Sequence, residues 1–299
     1  MRIAYLVFAY KNPRLLGRAV QRLSCDGAAF FIHIDAKASI EPFKALEAAN
    51  VFFSPTRIPV YWGEFSGIRA IEVLMHEALV HSPGFDYFVL LSGSEYPLRS
   101  KEYIHQFFVE NRGSEFITNV RMPNERAGKP LSRIDTRRIQ SARPVLRLAV
   151  RALAKYGMAR RDHRKYLGEL KAYSGNTWWA LSREACEYIS GFARANPRVA
   201  KFFEDTFAPE EMYFHTIFGN SKFQAQARRN LVYEDWDGQK AHPKTIGREH
   251  LNLFRSRDKV TVEDMHGPGE LLFARKLSDE RLEVVDELDE LIRAKEHAV

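Results

Sequence analysis

The stretch Phe207-Ala208-Pro209-Glu210-Glu211-Met212-Tyr213-Phe214-His215-Thr216 sets two adjacent carboxylates at the start of an expected helix, amid large apolar side chains. A general base can be built in such a setting. Proline suits the first helical turn, and acidic side chains there complement the helix dipole. The dipole lowers a carboxyl pKa while burial against Met212, Tyr213 and Phe214 raises it, so basicity depends on which effect wins. An ordinary helix start is the plainer reading. A second grouping is Arg275-Lys276, which follows the apolar run 271–274 and precedes Ser278-Asp279, a helix-cap signal. Two cations at a strand end can clamp a diphosphate and stabilise the charge that builds on a leaving nucleotide, although surface Arg-Lys pairs are common.

Other groupings are softer. His33-Ile34-Asp35 closes an expected strand, so Asp35 can accept a hydrogen bond from a base or ribose, or simply initiate a turn. Asp235-Trp236-Asp237 matches the Asp-x-Asp pattern that holds a divalent cation on a sugar nucleotide. It lies far C-terminal of the central strand where such a motif belongs, and is read as a chance match. Glu211 and His215, four apart, could share a helix face as metal ligands, but no second Glu/His pair accompanies them and a core or capping role is preferred. Trp62, Trp178, Trp179 and Trp236 are each a sugar-stacking platform or a core residue. The chain contains no GxGxxG, no GxxxxGK[ST], no Gly-x-Ser-x-Gly and no nucleophilic cysteine context.

The elements that must position these groups alternate in the α/β manner. Strands are expected at 2–9, 28–34, 51–53, 87–91, 115–119, 176–181, 230–234 and 270–274. Helices are expected at 13–24, 40–49, 65–82, 101–110, 183–195, 197–205, 209–219 and 278–296. The central strand 87–91 runs into Ser92-Gly93-Ser94-Glu95-Tyr96-Pro97, read as a loop at the ligand-binding edge of the sheet. The 299 residues suffice for a full core, and no repeat, low-complexity tract or linker divides them, so a single domain is expected over 1–299. It falls into a nucleotide-binding half at 1–119, a variable basic helical segment at 120–172 and a catalytic half at 173–299.

The net charge of +7 is unevenly distributed. Segment 121–171 holds 15 Lys/Arg against 4 Asp/Glu and carries +11, leaving −4 on the remainder. Arg143, Arg147, Arg151 and Lys155 recur every four residues beside apolar positions, the pattern of a helix that lies on anionic lipid, faces an anionic substrate, or is simply solvated. Cys25 and Cys186 have neither zinc-site nor disulfide spacing, and the apolar run at the N-terminus is far shorter than the roughly 20 residues of a membrane span. A cytoplasmic protein is expected.

Together the groupings form an order. Arg2-Ile3-Ala4-Tyr5, Phe31-Ile32-His33-Ile34-Asp35, Trp62-Gly63 with Ser66, the stretch 90–98 ending Tyr96-Pro97-Leu98, Trp178, Pro209-x-Glu211 with Phe214-His215-Thr216, Asn220-Ser221, Trp236 and Phe273-Ala274-Arg275-Lys276 follow one another in a characteristic spacing. The chain resembles the core-2/I-branching β-1,6-N-acetylglucosaminyltransferase and peptide O-xylosyltransferase family over nearly its whole length, least well at 120–172. The resemblance implies a GT-A-type fold and an inverting, metal-independent transfer of GlcNAc or xylose from a UDP-sugar to an acceptor glycan hydroxyl. No cofactor is then needed. It places the catalytic base on Glu211, the diphosphate-binding pair on Arg275 and Lys276, and the uracil-contacting acid on Asp35. Phe8, Val60, Tyr61, Trp62, Thr177, Trp178 and His242 complete the donor site, with Glu95 and Trp236 on the acceptor side. Three positions depart from the family pattern. Phe8 stands where a small aliphatic residue is usual, Thr177 where there is an acid, and His242 where the xylosyltransferases have serine.

Animal members carry a membrane anchor and disulfides, so the resemblance further implies a bacterial enzyme of surface polysaccharide or lipopolysaccharide synthesis. It would sit in the cytoplasm, peripheral to the inner membrane face, with the basic helix reaching a lipid-linked acceptor. A non-catalytic UDP-sugar-binding protein and a basic nucleic-acid-binding protein are the competing classes; the second lacks any recognised aromatic-basic module.

Overall fold

The computed structural model describes residues 1–137, 160–236, 242–264 and 266–296. The expected basic helix with Arg143, Arg147, Arg151 and Lys155 lies outside them, as does Asp237.

The strands are β1 (Ile3–Ala9), β2 (Ala28–Ile34), β3 (Val51–Phe53), β4 (Tyr87–Ser92), β5 (Glu95–Pro97), β6 (Glu115–Arg121), β7 (Tyr173–Ser182), β8 (Ala227–Arg228), β9 (Val232–Glu234), β10 (Thr261–Asp264), β11 (Gly267–Glu270) and β12 (Phe273–Arg275). Nearly every residue of β1 and β2 is buried, because a parallel strand covered on both faces must be apolar throughout. The main sheet has the order β3-β2-β1-β4-β7-β6-β8. Its first four strands are parallel, β7 is antiparallel to both β4 and β6, and β8 is parallel to β6.

A small sheet, β5-β12-β9, was hidden in the sequence. The segment 92–97 is not all loop, since Glu95–Pro97 pairs with β12. The last expected strand, 270–274, resolves into the end of the hairpin β10–β11 and, separately, β12. Arg275 stands between Glu95 on one neighbour and Glu234 on the other, an opposite-charge arrangement across three strands.

Two apolar clusters sit on either side of the helix Pro13–Leu23. Its Leu16, Val20 and Leu23 join the main core, and Leu15 and Ala19 join a second cluster with Phe254, Leu277, Val285 and Leu288. The second cluster includes a helix, Arg248–Ser256, where no element was expected, and the terminal helix Leu282–Glu296. The expected cap signal at Ser278-Asp279 acts elsewhere. Asp279 accepts from the backbone N–H groups of Arg14 and Leu15, at 3.2 and 2.7 Å, and so caps the first helix from the far end of the chain. That helix needs an outside cap because Asn12 before it is left-handed and makes no side-chain cap bond.

The expected helix 40–49 is a 3-10 segment, Glu41–Leu46, and 209–219 is interrupted. Pro209–Glu211 forms one 3-10 turn, Met212 leaves helical geometry at φ −136° with its side chain wholly buried, and an α-helix resumes at Tyr213–Gly219. Among the described residues no helix is long and apolar enough to cross a membrane.

Candidate active site

The parallel strands β1, β2 and β4 end in register, Phe8 opposite both His33 and Ser92. The residues after them, Lys11, Asp35 and Ser94, therefore gather at one sheet edge, where open α/β sheets bind ligands. A cleft of about 360 Å3 opens there, and all ten residues assigned to the donor line it: Phe8, Asp35, Val60, Tyr61, Trp62, Thr177, Trp178, His242, Arg275 and Lys276. A second cleft, of about 410 Å3, contains Glu211 and Trp236. The two share Trp62, Thr177, Trp178, Glu210, His242 and Arg275.

The floor of the first cleft is a stack. Phe8 lies on Trp178 with ring centres 5.8 Å apart, and the Arg275 guanidinium lies 4.6 Å from the Trp178 ring centre. Glu234 accepts from Trp178 Nε1 at 3.1 Å and pairs with Arg275 Nε at 3.3 Å, so stack and cation are fixed together. Arg275 also binds Ser92 Oγ at 2.9 Å and the Glu95 carboxylate. Glu95 was assigned to the acceptor; that assignment is corrected. Its side chain is fully buried, and its carboxylate accepts from the Ser92 N–H and hydroxyl as well as from Arg275. A carboxylate satisfied in this way braces Arg275 and is closed to an acceptor.

Lys276 differs from its neighbour. Its ammonium has no carboxylate partner among the described residues, and burial followed by the charges of Lys11 and Arg275 lowers its pKa. His242 is pushed down by burial and then by Lys276, Arg275 and Lys11. Four basic groups that repel one another at a sheet edge make an anion site in waiting. Asp35 is buried, with Oδ1 accepting from the Lys37 N–H at 2.8 Å, the turn-forming bond of an Asx motif, while the residue lines the cleft. Trp62 is 65 % exposed and meets Phe207 and His242 edge-on, forming the outer wall.

The two carboxylates of the 3-10 turn have different surroundings. Glu211 Oε2 accepts from Lys129 Nζ and from Arg133 Nη2, each at 2.7 Å, while Oε1 has no partner among the described residues. Lys129 is itself held by the Gly175 carbonyl at 3.0 Å. Among the described residues Glu210 has no ion pair and its shielded Oε2 has no hydrogen bond, and burial, with a smaller contribution from the Glu211 charge, raises its pKa to about 7. Burial thus governs Glu210. Because the turn is not the first turn of a long helix, the dipole contributes little.

The raised Glu210 carboxyl carries a stability consequence. The folded protein holds this proton to about pH 7 and the unfolded chain releases it near 4.5, so the contribution to stability is full below 4.5 and is lost as pH rises through 7. The Tm advantage of Glu210→Gln over the wild type should therefore be larger at pH 8 than at pH 5, as thermal melts at the two pH values would reveal.

His215, weighed with Glu211 as a metal pair but preferred as a core or capping residue, does not share a continuous helix with it. It is fully buried beyond the break at Met212, neither ring nitrogen has a hydrogen-bond partner among the described residues, and burial and then Lys129 hold it down to about 3. Asp235 bonds His250 Nε2 at 3.0 Å and Lys244 Nζ at 3.3 Å, and is thereby committed to the protein itself. Trp236 is 53 % exposed at the rim of the second cleft, with Nε1 donating to Glu234 at 3.3 Å. Sequence reasoning missed Lys11, Lys129 and Arg133. Lys11 was available from its place directly after β1, but nothing local connects Lys129 and Arg133 with a carboxylate 82 and 78 residues away.

The model of the family "Branch: Core-2/I-Branching enzyme" matches residues 3–265. The chain belongs to the core-2/I-branching enzyme family. Its mixed α/β fold is of the GT-A type, the parallel-rich sheet carrying the clefts at its edge. Xylosyltransferase 2 of Rattus norvegicus is 27 % identical over 307 residues, taking in 96 % of this chain and 33 % of that protein. Xylosyltransferase of Ciona intestinalis is 22 % identical, over 97 % of this chain and 34 % of that protein. This family member thus spans about a third of the length of the curated relatives it matches. Among solved structures, apo mouse xyloside xylosyltransferase 1 aligns with 91 % of this chain and 97 % of its own, at 11 % identity and a TM-score of 0.35.

Proposed function

We propose that the chain is an inverting glycosyltransferase that moves xylose or N-acetylglucosamine from a UDP-sugar to an acceptor glycan hydroxyl, forming a β-linkage without a metal ion. The observation that carries this reading is the meeting of two clefts, one lined by Lys11, Arg275 and Lys276 and the other by Glu211. UDP occupies the first, its uracil near Asp35 and its diphosphate against Lys276. The acceptor occupies the second. Its hydroxyl oxygen attacks the anomeric carbon, the bond from that carbon to the phosphate oxygen breaks with its electron pair leaving on UDP, and the hydroxyl proton passes to Glu211 Oε1. Lys129 and Arg133 orient the base by holding its other oxygen. Lys276 meets the charge of the departing diphosphate, and Arg275, braced by Glu95 and Glu234, holds the Trp178 platform. One displacement on an α-linked donor inverts the centre.

The test is UDP release from UDP-xylose and UDP-N-acetylglucosamine with and without EDTA. Release from one donor that survives EDTA supports the reading, and release that needs a divalent ion refutes its metal-independent part. The positive excess at 121–171 supports an anionic, lipid-linked acceptor of surface polysaccharide synthesis. Sedimentation with anionic but not neutral liposomes is the expected result; equal sedimentation with both would count against it.

A further inference from the structure

The cleft proposed for the nucleotide has two ends. β2 and β4 flank β1, so the residues that follow them stand two strand spacings apart, roughly 10 Å along the sheet edge. At the β4 end Arg275 bonds Ser92, and Lys276 follows it in the chain. The charges of Lys11 and Arg275 bear on Lys276, and those of all three bear on His242, with Lys37 not among them. A diphosphate at that end sets the base of the nucleotide at the other, where the turn after β2 carries Asp35 and Lys37.

Here an acceptor and a donor stand side by side. The Lys37 ammonium lies 4.2 Å from the centre of the Tyr61 ring, donates to the Val60 carbonyl, and is 3.6 Å from Asp35 Oδ2, beyond hydrogen-bond distance. Lys37, Asp35, Val60 and Tyr61 all line the cleft, and the lysine side chain is 46 % exposed, so its ammonium is reachable from the cleft. An ammonium has three donors, and the Val60 carbonyl takes one. Asp35 Oδ1 is engaged by the Lys37 N–H, whereas Oδ2 has no hydrogen bond among the described residues and is not sealed from solvent.

We propose that Lys37 selects the base of the donor, donating to the O4 carbonyl of uracil while Asp35 Oδ2 accepts from the adjacent N3–H. The inference rests on the UDP-sugar reading above and adds a specificity-determining residue to it. Of the two carbonyls that flank N3, O4 is the one remote from the ribose, as Lys37 is remote from Lys276. A carboxylate only accepts and an ammonium only donates, which matches the imide edge of uracil. Cytosine presents a bare N3 to the carboxylate and an amino group to the ammonium, lone pair against lone pair and donor against donor, so repulsion as well as lost bonding excludes it.

The test is calorimetric titration of UDP and CDP into wild type, Lys37→Met, which keeps the length of the side chain without its charge, and Lys37→Gln, whose amide donates to O4 or, turned over, accepts from an amino group. The wild type should bind UDP roughly a hundredfold more tightly than CDP; Lys37→Met should weaken UDP about tenfold with little change in CDP, and Lys37→Gln should bind CDP about tenfold more tightly than the wild type does. Should Lys37→Met not fold, Lys37→Gln carries the comparison. A contact with phosphate, or a slackened cleft wall, would lower both nucleotides alike, so equal losses of UDP and CDP in Lys37→Met overturn the proposal. A wild type that binds the two equally, or a preference for UDP undiminished in both variants, overturns it too, and each of these leaves the transferase reading standing. A wild type that binds neither nucleotide and releases no UDP from either UDP-sugar overturns that reading and this inference with it.

Discussion

Glu211→Gln is expected to lower kcat by about 10²- to 10⁴-fold while leaving UDP affinity within about twofold. The size follows from what the substitution removes. Glutamine keeps the length and shape of the side chain and an oxygen that accepts from Lys129 and Arg133, but it cannot take the acceptor proton. Lys129 keeps its bond to the Gly175 carbonyl, so the wall of the acceptor cleft remains anchored. Glu211 does not line the cleft assigned to the nucleotide, which separates the effect on turnover from any on UDP binding. UDP-release kinetics beside a calorimetric UDP titration measure both halves. Normal turnover in the variant would remove Glu211 as the base, and lost UDP binding would indicate that the clefts are misassigned.

The second large effect separates the members of a doublet that look equivalent in sequence. Lys276→Ala should weaken UDP binding by about tenfold and lower kcat by about a further tenfold, because an unpaired ammonium contributes more as charge builds on the leaving group than in the ground state. Its thermal stability should stay near that of the wild type, since Lys276 makes no ion pair within the described residues. Arg275→Ala should behave otherwise. It strips the charge partner from Glu95, whose completely buried carboxylate then keeps only the Ser92 N–H and hydroxyl, and breaking a buried ion pair costs about 3–5 kcal/mol. Thermal melts of the two variants make the comparison. Equal loss of Tm in both would show that Lys276 is also structural.

How far these roles were legible depends on whether the signal is local. The strands β1, β2 and β4 are continuous apolar runs, and their register brings Phe8, Asp35 and the residues after Ser92 to one edge, as the α/β pattern implies. The residues assigned to the donor at Val60, Tyr61, Trp62, Thr177, Trp178 and His242 came instead from the resemblance, and their lining of one cleft could not be read from spacing. β5 was opaque because Ser92-Gly93-Ser94-Glu95 has loop composition. Glu95 sits in a strand paired with β12, where Arg275, 180 residues later, meets its carboxylate. The helix Arg248–Ser256 escaped notice for a related reason: only His250, Leu251 and Phe254 are buried, too few apolar positions to stand out among polar neighbours. The break at Met212 reflects tertiary packing, since Met is itself a good helix former and its burial overrides that preference.

Two departures from the family pattern acquire a structural setting. Phe8, in place of a small aliphatic side chain, stacks on Trp178 at the floor of the cleft proposed for the nucleotide. His242 packs against Trp62 and is held toward the neutral form by burial and by Lys276, Arg275 and Lys11. Thr177 leaves the shared wall without the acid usual there, and among the described residues Glu210 supplies the junction's one carboxylate.

The most direct measurement is an NMR time course of the purified protein with UDP-xylose or UDP-N-acetylglucosamine and a glycan acceptor, following the anomeric proton of the transferred sugar. The α-configured donor signal should give way to that of a β-linked glycoside as UDP accumulates in equal amount. A product that keeps the α configuration, or free sugar formed without a glycoside, would contradict a single displacement assisted by Glu211.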